Sequence, residues 1–344
     1  MTGPADSTSP IGLTSRPCRK WAMHAIQVVR HGGPEVLEYR TIDDPVPAPD
    51  EVLIRTKAIG VNFIDTYLRR GLYPSSPPYV PGLEGAGEVV AVGTDVEGHQ
   101  VGDRVAWVDA PGSYAELVAV RAARAVPLPD GVPEEVAGSA MLRGLTAHYL
   151  LDGSAHPTPG DTILVHAGGG GVGLILTQMA KNKGLRVITT VSNDEKEALS
   201  QDAGADHVLR YGEGLAQEVR RLTDGKGVAV VCDGVGADTF EQSLAATAVR
   251  GVIVLFGASS GPVPPFDLAR LNRAGSLSVT RPTLAHFIAD PDELAWRSDE
   301  FFGAIADGSL NVLVGQTYPL AIAEQAHRDL EARATTGATA LIPG

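Results

Sequence analysis

Cysteine is all but missing from this chain of 344 residues, with Cys18 and Cys232 its only two. That excludes a disulfide framework and any cysteine-rich zinc lobe, and it suits a reducing cytoplasm, the expected location. Long apolar runs are missing too. No stretch of about 18 apolar residues occurs, so no span across a membrane is expected. Basic residues are in deficit, 28 against 41 acidic, for a formal charge of −13. That balance speaks against a nucleic-acid backbone or an anionic membrane as partner.

Residues 1–22 read MTGPADSTSPIGLTSRPCRKWA, rich in Ser, Thr, Pro and Gly, with no apolar signal core and only Arg16, Arg19 and Lys20 as a basic cluster. They are expected to form a disordered extension. From Met23 to Leu142 short strands with regular turn punctuation follow (MHAIQVV, EVLIRTKAIGV, GAGEVVAVG, DRVAWV, SYAELVAV), the signature of a β-rich core. From Arg143 to Thr280 the apolar runs ILVHA, RVITTV, DHVLRY, VAVVCDGVG, VIVLFG and SLSVT alternate with helical stretches at 194–203, 213–222 and 237–248. Six such strands predict one doubly wound parallel sheet. The remaining 281–344 segment holds too few strands for a sheet of its own and is expected to return to the β-rich part. The chain is therefore read as an α/β protein of two lobes, 23–142 with 281–344 and an inserted 143–280, with a cleft between them.

The run TILVHAGGGGVG, from Thr162 to Gly173, is a β-branched strand that breaks into a glycine loop and then a helix. Gly168, Gly170 and Gly173 fit the G-x-G-x-x-G spacing of a dinucleotide site, with Gly171 and Val172 opening a helix whose unpaired N–H groups face an anion. Val172, Ile175, Leu176 and Met179 share one helical face, and Gly184 offers a C-terminal cap. After the next strand, the place where an NAD-selective site carries Asp or Glu is taken by Ser192, with Lys196 one turn further on. No carboxylate repels a 2′-phosphate there and a cation stands ready, so NADPH is expected over NADH.

Several strings resemble, taken together, the zinc-free quinone oxidoreductases of the medium-chain dehydrogenase/reductase superfamily, the zeta-crystallin-like group. They include VNFIDTYLRRGLYP, PGLEGAGEVVAVG, HAGGGGVG, FGASSG, VTRPTL and EARATTGATALIP, and the likeness runs from Met23 to Pro343. The resemblance implies a GroES-like β-rich catalytic domain carrying an inserted Rossmann domain. Zinc-dependent relatives place Cys and His where this chain has Asn62 and Leu83, which offer no thiolate or imidazole, so no metal is expected. Without a Lewis acid, an acceptor that takes hydride readily, a quinone or an activated α,β-unsaturated carbonyl, suits the site.

The resemblance also implies roles. Asn62, Phe63 and Tyr67 would flank the nicotinamide and its ribose, with Tyr67 and Tyr73 at the substrate mouth, making Asn62, Tyr67 and Tyr73 the candidate catalytic set. Thr146 would bond the nicotinamide side. Ser192, Lys196, Tyr211 and Arg333 would hold the 2′-phosphate, and Phe256, Gly257, Ser259 and Thr280, with Arg281 beyond it, would close over the nicotinamide half. Each has a plainer alternative: Tyr67 as a core tyrosine, Lys196 as a solvated helix lysine, Arg333 as an offset to a helix dipole. The plain reading is preferred for His166, as structural, for Arg69, Arg70 and Arg143, as surface or lobe-boundary charges, and for Asp65, as a local cap. The final proton would come from Tyr67 or solvent, and one-electron transfer is also compatible. Rival readings are an enoyl-thioester reductase of the same superfamily and a non-catalytic NADPH-binding structural or sensor protein. An apolar edge strand near 251–280 predicts a homodimer.

Overall fold

The structure, a computed structural model, describes residues 22–344, so the expected extension, with Cys18, lies outside the described residues except for Ala22. The first lobe begins with an antiparallel ribbon of β1 (Ala22–Val28) and β2 (Leu37–Asp43). Then come β3 (Glu51–Gly60), helix α1 (Phe63–Arg69), β4 (Glu84–Val92), β5 (Arg104–Val108), β6 (Leu117–Arg121), β7 (Ala125–Pro127) and helix α2 (Glu134–Tyr149). In β3, Val52, Ile54 and Thr56 turn inward while Arg55 and Lys57 face solvent, the period of two expected of a half-buried antiparallel strand.

The second lobe alternates strand and helix: β8 (Thr162–Val165), α3 (Gly171–Asn182), β9 (Arg186–Val191), α4 (Asp194–Asp202), β10 (His207–Arg210), α5 (Leu215–Leu222) and β11 (Val228–Asp233). It ends with α6 (Phe240–Ala246), β12 (Thr247–Leu255), α7 (Ala269–Arg273) and β13 (Ser278–Thr280). The strands form one parallel sheet in the order β10-β9-β8-β11-β12-β13. Because helices cover both faces, Ile163, Leu164 and Val165 of β8 are all fully buried, which is why this strand reads as a continuous apolar run. The strand order reverses between β8 and β11. In an open α/β sheet, the crevice beyond the strand ends at that point is where ligands bind.

The chain then returns as expected. After α8 (Leu284–Phe287) and α9 (Pro291–Ala306) come β14 (Val314–Pro319), α10 (Ala323–Glu331) and β15 (Ala338–Ile342), and β15 pairs antiparallel with β3. The lobe boundary expected at Leu142 and Arg143 falls inside α2, so no linker lies there. That helix serves both lobes. Gly138 lets it press onto the first sheet, since a Cβ there would lie 2.5 Å from Ala58 O, and Gly144 admits the Phe301 ring of α9. One apolar cluster joins Ala86 and Val108 of the first lobe, Met141 and Leu145 of α2, and Ile163, Ile175 and Val230 of the second. Among the described residues no helix is long and apolar enough to cross a membrane.

Candidate functional site

A cleft of about 740 Å3 lies between the lobes, walled by the glycine loop, the first turn of α4, α1, α2, the segments after β12 and β13, and the end of α10 with the segment that follows it. Gly169, Gly170, Gly171, Val172 and Gly173 line it. Gly170 stands at the N-cap of α3, where no side chain caps the first turn, so that turn's N–H groups are left for a ligand. The residue in the left-handed conformation is Ala167, φ 57°, and not one of the four glycines. The glycines are needed for space. A Cβ on Gly173 would sit 2.3 Å from Ala167 O, and one on Gly169 would sit 2.6 Å from Lys196 Cβ. Gly168 is a correction: it is not among the residues lining the cleft. It faces Thr189 and Ser200 behind the loop, where a Cβ would meet Thr189 Cβ at 2.5 Å.

Ser192, Lys196, Tyr211 and Arg333 all line one end of the cleft. Asn193 caps α4, accepting from Lys196 N at 2.9 Å, and so places Lys196 in the first turn. Lys196 Nζ donates to Arg333 O at 2.8 Å, bridging the two lobes. Burial holds the Lys196 ammonium below the usual lysine range, and the Arg333 charge adds to this. Arg333 follows α10 with φ 59°, at a helix end where glycine is the usual residue. Backbone of this kind gathers at functional sites. The Tyr211 hydroxyl accepts from Ala167 N at 2.9 Å, and its ring stacks on His166. His166 lies in the cleft wall, but Thr190 and Ser243 occupy both of its ring nitrogens and burial keeps it neutral, in keeping with a structural part.

At the other end stands Asn62, 5% exposed, immediately before α1. Its Nδ2 donates to Glu84 Oε1 at 2.7 Å, and Glu84 Oε2 accepts from Leu142 N at 2.6 Å. Arg143 completes the cluster, 3.4 Å from Glu84 and donating to the carbonyls of Val61 and Ser139. Beside it runs a buried chain: Arg69 Nη1 donates to His327 Nδ1 at 2.9 Å, His327 Nε2 to Tyr114 Oη at 3.1 Å, and Tyr114 Oη to Asp65 Oδ2 at 2.9 Å. Arg69 can only donate, so His327 carries its proton on Nε2. Arg69 also pairs with Glu331 at 2.7 Å, fastening α1 to α10.

One plain reading is thus corrected and one extended. Arg69 and Arg143 are buried, because carboxylates distant in sequence fold onto them, and only Arg70 is exposed as expected. Asp65 does cap, accepting from Asn62 N at 2.8 Å, but it also belongs to the buried chain, and burial raises its carboxyl to about 7.

Phe63, Tyr67, Tyr73, Thr146, Phe256, Gly257 and Ser259 line the cleft. Tyr67 and Tyr73 meet edge to face at 5.4 Å, and burial raises the Tyr67 hydroxyl, which keeps it a proton-bearing donor at neutral pH. Thr146 Oγ1 donates back to Leu142 O at 2.7 Å. Thr280 is a further correction: it is not among the cleft-lining residues, whereas Arg281, the next residue, is. Arg281 donates to Leu255 O at 2.8 Å and to Tyr73 Oη at 3.4 Å, placing a cation beside the tyrosines. Asp109 also lines the cleft; neither its position nor the partnership of Glu84 with Asn62 could be read from local sequence. Among the described residues one trio of metal-ligand types gathers, His148, Asp152 and Glu300, and none lines the cleft. The Arg297 guanidinium donates to His148 Nδ1 at 2.7 Å and opposes a cation there.

Residues 48–130 match the model of the alcohol dehydrogenase GroES-like domain, and residues 171–295 match that of the zinc-binding dehydrogenases. The chain is 48% identical to a quinone oxidoreductase of Pseudomonas aeruginosa, over 92% of this chain and 99% of that one. It is 36% identical to a 2-haloacrylate reductase of a Burkholderia species, over 93% and 98%. A mycobacterial structure solved in complex with NADPH superposes with a TM-score of 0.92 at 54% identity, covering 93% of this chain and all of that one.

Proposed function

The chain belongs to the zinc-free quinone oxidoreductase group of the medium-chain dehydrogenase/reductase superfamily, and from that membership we propose that it uses NADPH to reduce a quinone or an activated α,β-unsaturated carbonyl. The observation that carries the cofactor is the pairing of Lys196 with Arg333 beside Ser192, at one end of a cradle only glycines leave open. Two cations gather where none of the first-turn carboxylates of α4 lines the cleft, an arrangement that an anionic 2′-phosphate relieves. When bound, the nicotinamide nucleotide supplies the hydride.

The protein's own part is binding, orientation and electrostatics. The first turn of α3 meets the pyrophosphate, Lys196 and Arg333 meet the extra phosphate, and the Glu84 carboxylate fixes the Asn62 amide beside the reacting centre. Tyr67, kept protonated by burial, donates to the acceptor oxygen, and the Arg281 cation stabilises negative charge developing on it. The net change is quinone, NADPH and one proton giving hydroquinone and NADP+. Asn62 and Leu83 stand where zinc-dependent relatives hold their metal, and the amide nitrogen of Asn62 is committed to Glu84, so the residues present do not fit a zinc site.

We also place a homodimer along the free edge of β13, a short strand paired on one side only. The function is tested by following NADPH consumption with 1,2-naphthoquinone and, in parallel, with a crotonyl thioester. Turnover of the quinone with a marked preference for NADPH over NADH is expected. Turnover of the thioester alone would favour the enoyl-thioester alternative, and no turnover with either would leave a binding protein.

A further inference from the structure

Asp109 is a carboxylate in the wall of the cleft that the reading above does not use. It follows Val108, which pairs in register with Glu84, the residue that fixes Asn62. On its other side Ala110 N donates to Leu83 O at 3.1 Å. The strand register therefore delivers Asp109 to the part of the wall that holds Leu83 and Val108, both apolar. Its backbone is left-handed, φ 59°, a region where Asp and Asn are tolerated better than other non-glycine residues. Its side chain is 38% exposed and has Arg124 at 3.8 Å as its ion-pair partner. Among the described residues no donor reaches this carboxylate within hydrogen-bond distance, and Arg124 is engaged with Ile288 O.

A half-buried carboxylate with one loose counter-ion projects its charge into the space it borders. We propose that Asp109 selects the acceptor by charge: it admits neutral quinones and enones, hydrogen-bonds those that present a hydroxyl toward it, and turns away acceptors whose anionic substituent would face Leu83. The inference rests on the reading that the acceptor sits beside Asn62 and Leu83. A 2-haloacrylate, the compound that one relative is named for, carries its carboxylate on the reacting alkene and is the kind of acceptor Asp109 would turn away. Arg281 supplies the opposite charge on the tyrosine side of the cleft, so the discrimination is directional.

The experiment compares kcat/KM for 1,2-naphthoquinone and for its 4-sulfonate at saturating NADPH, in the wild type, Asp109→Asn and Arg124→Gln. Intrinsic reactivities differ between the two quinones but cancel when each variant's ratio is divided by that of the wild type. Asn keeps both the volume and the left-handed backbone, and the KM for NADPH should stay unchanged. The preference for the neutral quinone is expected to fall about tenfold in Asp109→Asn and to rise in Arg124→Gln, where the carboxylate loses its counter-ion. A ratio in Asp109→Asn within twofold of the wild type would overturn the charge selection while leaving the functional reading intact. Failure of the wild type to oxidise NADPH with either quinone would overturn both.

Discussion

Asp65 shows how a single residue near the cleft carries a measurable cost. Both of its hydrogen bonds end on Oδ2, from Asn62 N and Tyr114 Oη, and Oδ1 is buried without a partner. Burial raises the carboxyl from 3.8 to about 7. An acid held above its unfolded value binds its proton more tightly when folded, so its contribution is complete below about pH 4 and is lost as pH rises through 7. Urea unfolding should therefore show stability falling between about pH 4 and pH 7, by up to ~4 kcal/mol from this group, and levelling off above that. Asp65→Asn flattens that slope, though not to zero, because burial raises Glu84 too. An unchanged slope would refute the assignment. At the other end of the cleft, Lys196→Ala and Arg333→Ala should each raise the KM for NADPH by about ten- to a hundredfold and leave that for NADH nearly unmoved, as steady-state kinetics with both nucleotides would show. Tyr67→Phe should lower kcat/KM for the quinone about tenfold through the loss of one donor. Equal turnover at every pH would remove Tyr67 from the reaction.

Among the elements, the strand-loop-helix unit of β8 and α3 was the most legible, because its signal is local: a β-branched run, glycines, then an apolar face of period 3.6. The parallel strands were legible for the same reason. Less so was the division of labour within the loop, where Ala167 takes the left-handed turn and Gly173 supplies the close contact. Gly173→Ala would press a methyl against Ala167 O, and a cost of about 1–3 kcal/mol with loss of nucleotide binding is expected from thermal unfolding and titration. Retention of both would show that the loop has slack the structure lacks. The fate of Arg69 and Arg143 was not legible. A charged side chain in isolation reads as surface, and its burial is decided by partners 258 positions away in the case of His327 and 59 in that of Glu84. Helix α2 escaped for a related reason, since a helix shared by two lobes carries no sign in its own sequence of where one lobe ends.

For the whole molecule, α2 and its apolar cluster join the lobes on one side, while Lys196 on Arg333 O and the bridge between Gly170 and Gly337 join them across the cleft. A nucleotide lying along that cleft touches both lobes and stabilises the folded chain by mass action, by about 2.7 kcal/mol at a hundredfold excess over its Kd. Light scattering checks the partner expected along β13, with twice the mass of one chain supporting the pairing and a single-chain mass contradicting it. The account as a whole turns on a 2′-phosphate held between lobes, and calorimetric titration of the wild-type protein with NADPH and then NADH tests it most directly. Binding of NADPH at least tenfold tighter than NADH is the predicted result; equal affinities, or no heat with NADPH, would contradict it.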